Sequence, residues 1–279
     1  MSGTPERHSF THRGHELSYE VHGTGGPVLV YLHGLLMNAD FNRAIAERLA
    51  SGGNTVVLLD LLGHGHSDRP THASEYRMDT YAEQVVALLD HLGVERAAIG
   101  GVSLGANVSL FVAVHHPERV RGMVLEMPVM EWAVPAAALM FVPMLLGAHY
   151  ARRVLGLTSV AASRIPRTSI GVVDGVLESA SVRPEVISAV LHGVLVGPVV
   201  PTWEQRCGIT APTLVISHRY DPIHPFDDAD NLISQLPEAR MVLARSIVEF
   251  RVLPTRLLRE IAGFLRSIGE DEPGADDIQ

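Results

Sequence analysis

Gly101-Val102-Ser103-Leu104-Gly105 lies directly after an apolar run and directly before a segment of helical character. A sharp strand-to-helix turn of this kind strains its central residue and lifts that side chain clear of the sheet. The hydroxyl then faces the free N–H groups and positive pole of a helix N-terminus, where developing negative charge is stabilised. The chemistry this suits is nucleophilic attack by Ser103. A serine hydroxyl is weak near neutral pH, so it needs a base to take its proton and a third group to orient that base. The stretch "ISHRYDPIHPF" offers both, with Asp221 flanked by His218 three residues before it and His224 three residues after it. A carboxylate that holds one ring nitrogen leaves the other to accept the serine proton.

Fifteen histidines are present, so most must be incidental. His8, His12 and His15 fall in a polar N-terminal stretch and are expected to be solvated. His91, His115 and His116 stand at helix ends, where a cation suits the negative pole. His33, His64 and His66 belong to loops with structural signatures. His149 and His192 fall in an irregular middle region. Glu126 closes an apolar run and could pair with a histidine. Glu249 could hold a water or a cation from a loop. The single cysteine, Cys207, excludes an internal disulfide framework, and no Cys/His group has zinc-ligand spacing. No metal and no cofactor are expected.

These residues need a frame. The runs Pro27–Gly34, Asn54–Asp60, Arg96–Ser103 and Arg119–Pro128 are short, apolar and β-branched, as strands buried on both faces should be. Between them "NADFNRAIAERLA", with Asn38 or Asp40 as its cap, and "MDTYAEQVVALLDHLG", closed by Gly93, have helical period. "LGANVSLFVAVHHP" is a helix stopped by Pro117. The alternation breaks near Met130 and resumes with strands at 211–221 and 239–246 and helices at 227–236 and 254–265. This predicts an α/β fold whose mostly parallel, doubly wound sheet carries a helical lid between two strands. The expected division is a core of 1–129 and 207–268, a helical cap at 130–206, and a flexible acidic tail at 269–279, where "EDEPGADDIQ" concentrates five acids.

A net charge of -9 gives no electrostatic footprint for nucleic acid. The N-terminus lacks a basic start followed by an apolar stretch, and the longest apolar run, Ala133–Ala148, is too short for a membrane span and holds two prolines. No integral membrane segment is expected, and a cytoplasmic location is the default. The apolar stretch "EWAVPAAALMFVPMLLGAHY" suggests a pliable wall for an apolar small molecule, or a contact between two copies in a homodimer.

Four ordered motifs make the chain resemble the α/β-hydrolase fold superfamily, in its serine-nucleophile esterase and lipase-like branch. They are "YLHGLLMNADFN", "LLDLLGHGHSDRP", "GGVSLGANVSL" and "TLVISHRYDPIHP". The resemblance covers nearly everything outside the lid. It implies Ser103 as nucleophile, Asp221 as the acid, and an oxyanion hole made by the backbone N–H groups of Leu35 and Leu104. It also implies a histidine after the last strand, and there the chain departs: Ile247 stands at that position, and no histidine follows His224.

Three readings stay open on the sequence. One is a serine hydrolase that cleaves a carboxylic ester of an apolar or lysolipid-like substrate through an acyl-enzyme on Ser103. Its base is then relocated to His224, with His218 as the alternative. The second is a ligand-binding or scaffold protein on a hydrolase frame, its histidine lost. The third is a non-hydrolytic enzyme of the same fold.

Overall fold

The computed structural model describes residues 6–166, 171–221, 223–246, 249–252 and 254–270. Eight strands form one sheet: β1 (Arg7–His12), β2 (His15–His22), β3 (Val28–Leu32), β4 (Thr55–Leu59), β5 (Ala97–Val102), β6 (Val120–Glu126), β7 (Thr213–Ser217) and β8 (Ala239–Leu243), in the order β1-β2-β4-β3-β5-β6-β7-β8. The pairings β1–β2 and β2–β4 are antiparallel and the rest are parallel. After β3 the chain moves outward to β4, then returns to the other side of β3 as β5. The order therefore reverses at β3, and its crevice with β5 is where open α/β sheets bind ligands.

The continuous apolar runs arise because helices cover both faces. Side chains alternate across each strand. Val30, Leu32, Val57 and Ile99 pack with α2 (Met78–Leu92) and α3 (Leu104–His115). Leu29, Tyr31, Leu58 and Ala98 pack on the opposite face with α1 (Arg43–Ala50) and the last helix of the chain, Thr255–Glu270.

Between β6 and β7 the chain inserts α4 (Val134–Tyr150), α5 (Arg152–Ser163), α6 (Gly171–Ser181), α7 (Pro184–Val196) and α8 (Trp203–Cys207). After β7 come α9 (Phe226–Gln235), β8, the short α10 (Glu249–Val252) and α11 (Thr255–Glu270). Residues 271–279 of the expected tail lie outside the described residues.

Three side chains fasten both ends of the insertion to the core. Asp228, at the start of α9, accepts the N–H groups of Met130, Trp132 and Ala133 at 3.0, 3.0 and 2.8 Å. Asn107, in the first turn of α3, donates to the carbonyls of Val129 and Val199 at 2.6 and 2.8 Å. Arg206 donates to Gln235, the Pro201 carbonyl and Glu131 at 2.6, 2.6 and 2.8 Å.

The N-terminal histidines correct an expectation. His8, His12 and His15 are half-buried and not simply solvated, because 7–12 and 15–22 form a hairpin whose alternate residues Phe10, Leu17 and Tyr19 join the core. His8 stacks on Tyr19 with centroids 5.4 Å apart. The polar composition concealed a period of two. The caps assigned to the first helix also move: α1 starts at Arg43 after Asn42, whereas Asn38 makes no capping bond and Asp40 pairs with Arg43.

This edge is held by Glu20, whose buried carboxylate accepts from Arg43 at 2.7 and 3.1 Å and from Arg7 at 3.3 Å, with His22 also at 3.3 Å. Burial alone would raise its pKa; the hydrogen bonds to His22 and Arg43 outweigh burial and hold it down to about 2. A depressed carboxylate contributes stability that is complete above its unfolded pKa near ~4.3 and is lost as pH falls toward the folded value. We expect Glu20→Gln to cost about 3 kcal/mol at neutral pH and to flatten the loss of stability between about pH 5 and pH 2. Urea unfolding across that range measures it. An unchanged acid limb would assign the dependence to other groups.

Candidate active site

Ser103 lies between β5 and α3 with φ 54° and ψ -107°, a left-handed backbone that is costly for a residue with a Cβ. Its N–H donates to the Glu126 carbonyl at 2.9 Å, which fixes the turn against the end of β6. The flanking glycines are sterically required. A Cβ on Gly101 or Gly105 would come within 2.5 or 2.6 Å of the Leu32 carbonyl oxygen. The helix is thus pressed against the end of β3, and Ser103 is carried to the crevice where the strand order reverses.

The loop after β3 is fixed from beneath. His33 accepts the Leu61 N–H at Nε2 (3.1 Å), so its proton resides on Nδ1, which donates to the Gly34 carbonyl at 2.8 Å. Burial lowers the His33 pKa, which favours this neutral form, although the nearby Asp60 charge opposes it. Asp60 accepts from the N–H groups of Ala39 and His66 at 2.8 and 2.9 Å, and Gly65 leaves room for that carboxylate, which a Cβ would meet at 2.1 Å. His64 is buried 4.7 Å from the His33 ring, and its pKa is driven well down by burial. Leu35 and Leu104 stand at the start of this loop and at the first position of α3. A first-position N–H has no acceptor within its own helix.

The structure brings Ser103, His224 and Asp221 together. His224 Nε2 lies 3.0 Å from Ser103 Oγ, and its Nδ1 lies 2.8 Å from Asp221 Oδ2. The other carboxylate oxygen accepts the Ile223 and His224 N–H groups at 2.8 and 3.1 Å. The backbone thus curls around the carboxylate and sets the ring against it three residues on, which is how partners so close in sequence align. Burial would raise the pKa of Asp221; the bonds to the His224 ring and to the Ile223 N–H prevail and lower it to about 2. Asp221 is therefore a carboxylate and accepts the Nδ1 proton. That leaves the Nε2 lone pair pointing at the Ser103 hydroxyl. The arrangement can transfer a proton from Oγ to the ring as Oγ bonds to an electrophile.

His218 approaches the same carboxylate oxygen as His224. Its Nε2 is 3.2 Å from Asp221 Oδ2 but is not aligned for a hydrogen bond. Ile247, the residue at the expected histidine position, lies outside the described residues. Glu126 takes no histidine: its carboxylate accepts the Tyr31 hydroxyl at 2.8 Å and Arg251 at 2.9 Å. Glu249 is not a free loop carboxylate for water or a cation. It is buried, and it accepts from Arg256 at 3.0 Å and from the Arg245 N–H at 2.5 Å, because the segment after β8 folds as α10. His149 and His192 line a depression with Arg152 and Glu185 on the insertion. Sequence reasoning did not single out Arg251, Tyr31, Asn107 or Asp228, whose roles depend on contacts across the fold. The one advance signal was Asp228's place in the first turn of a helix, where an acid suits the dipole.

The apolar wall read from α4 also needs correction. Leu139, Met140, Val142, Met144 and Leu146 are turned outward, and the buried side chain of that helix is Ala148.

A family model described as alpha/beta hydrolase fold matches residues 27–154. The chain is 35% identical over 105 residues to a 2-hydroxymuconate semialdehyde hydrolase of Pseudomonas sp. (strain CF600), covering 38% of this chain and 34% of that one. It is 38% identical over 108 residues to the dihydrolipoyllysine-residue acetyltransferase component of an acetoin cleaving system of Pseudomonas putida, covering 38% and 28%. The chain thus spans about a third of the length of these curated relatives. Among solved structures, an enol-lactonase from Burkholderia xenovorans LB400 superposes with TM-score 0.73 at 21% identity, covering 92% of this chain and 99% of that one. A thermophilic esterase from Thermogutta terrifontis gives 0.74 at 23%, covering 95% and 99%.

Proposed function

From the premise that this chain carries the α/β-hydrolase fold, we propose that it is a serine hydrolase cleaving a carboxylic ester of an apolar or lysolipid-like substrate. The observation that carries this reading is the 3.0 Å separation of His224 Nε2 and Ser103 Oγ. Ser103 Oγ attacks the ester carbonyl while His224 Nε2 takes the hydroxyl proton, and Asp221 stabilises the imidazolium through Nδ1–H. The Leu35 and Leu104 N–H groups receive the oxyanion, each contributing roughly 3–4 kcal/mol. The tetrahedral intermediate collapses, the ester C–O bond breaks, and the alcohol leaves with the proton from His224. Water, deprotonated by the same ring, then cleaves the acyl-enzyme and releases the acid.

The insertion of 130–206 serves as the lid in this reading. Leu36, Met37 and Val182 line a small cavity between the loop after β3 and the end of α6 together with His64, Glu178 and Ser179, and it has room for little more than a water. Hydrolases among the relatives with partial matches agree with the reaction class. The 3.0 Å separation favours this reading over a binding protein without a base.

A fluorophosphonate probe tests this. We expect stoichiometric labelling of Ser103 and none in Ser103→Ala. Labelling of another residue, or no labelling of a folded wild-type chain, overturns the proposal.

A further inference from the structure

We propose that the outer face of α4 and α5 seats the protein on an anionic lipid bilayer surface. Along α4, Leu139, Val142, Leu146 and Tyr150 recur at spacings of three and four and form one stripe. All four are exposed, Leu139 by 81% and Tyr150 by 79%, and Trp132, 67% exposed, stands just before the helix. Along α5 the matching stripe is Arg153, Leu157, Val160 and Arg164, with Leu157 74% exposed. The inner sides of the pair are already occupied, α4 packing on α7 and α5 on α6. Large apolar side chains exposed in register along two successive helices mark an interaction site.

The charge pattern identifies the partner. From Trp132 to Val173 there is no acid, whereas four arginines occur, at 152, 153, 164 and 167. That stretch carries +4, which leaves -13 on the rest of a chain whose net charge is -9. Arg152 is tied to Glu185 at 3.0 Å, whereas Arg153 and Arg164 are exposed and form no ion pair among the described residues. Apolar side chains interleaved with arginines, flanked by Trp and Tyr, match the boundary between acyl chains and anionic headgroups. Repulsion between the acidic body and such a surface is screened beyond roughly 8–10 Å at physiological salt. A two-fold contact with a second copy would instead set this cationic surface against itself. The pair bends by 100° and no single helix among the described residues is long and apolar enough to span, so the geometry suits lying on the surface. This reading rests on the surface alone and is independent of ester cleavage.

Co-sedimentation of the full chain with phosphatidylcholine vesicles, with and without phosphatidylglycerol, tests it. We expect binding to the phosphatidylglycerol vesicles at low salt, weakened about tenfold or more at high salt. A similar loss is expected in Leu139→Glu/Leu157→Glu and in Arg153→Glu/Arg164→Glu, with far-ultraviolet circular dichroism showing that both variants are folded. Absence of vesicle binding overturns the proposal, as does binding indifferent to phosphatidylglycerol and to both variants. A dimer by light scattering that Leu139→Glu/Leu157→Glu dissociates would also overturn it, assigning the face to a second copy.

Discussion

His224→Ala is expected to turn over an activated ester between ~10² and ~10⁴ times more slowly than the wild type, with the loss in kcat and little change in KM. In the proposed reaction the ring takes the Oγ proton as the new bond forms and gives it to the leaving alcohol, so it would act in the transition state more than in substrate binding. The fluorophosphonate rate should fall with it, because that reaction needs the same proton removal. The described residues hold one other imidazole on this carboxylate, His218, whose Nε2 is 3.2 Å from Asp221 Oδ2. His218→Ala is therefore the control. Full turnover in His224→Ala together with a collapse in His218→Ala would transfer the role of base to the second ring.

The second large effect belongs to Asp221→Asn, which should lower kcat by about 10⁴ while leaving the chain folded. Shape is nearly conserved, but an amide nitrogen facing Nδ1 donates instead of accepting. The ring must then carry its proton on Nε2, which presents N–H to Ser103 Oγ and cannot receive the serine proton. The Ile223 and His224 N–H groups, at 2.8 and 3.1 Å from the other oxygen, can still be accepted by the amide carbonyl, so the turn itself should survive. A pH–rate profile separates this from simple misfolding: the wild-type acid limb should change shape in the variant, whereas a partly unfolded protein would lose amplitude at every pH. A loss below about tenfold would show that the carboxylate does not set the tautomer.

The parts of the fold readable in advance were those where local pattern and global packing agree. The runs that became β3 to β7 are apolar on both faces because helices cover both, and Gly93 ends α2 in a left-handed conformation as a C-cap should. The strand-to-helix turn was readable because Ser103 needs small neighbours at 101 and 105, and only glycine fits against Leu32. The hairpin of β1 and β2 was obscured because one face is polar, so its alternation looks like a hydrophilic leader. The fate of Glu126 and Glu249 could not be read, because Arg251 on α10 and Arg256 on α11 reach them only in the folded chain. The outward face of α4 was misread for a related reason. Composition states that a helix is apolar, but which side is covered depends on its neighbours.

Asp221 and His224 lie three residues apart in a single turn, whereas a ring supplied from beyond β8 would have to be delivered by the docking of a separate segment. Local placement costs almost no loop-closure entropy and does not depend on how the C-terminal helices seat. Length changes between β8 and α11 should therefore be tolerated by the chemistry even where they weaken packing.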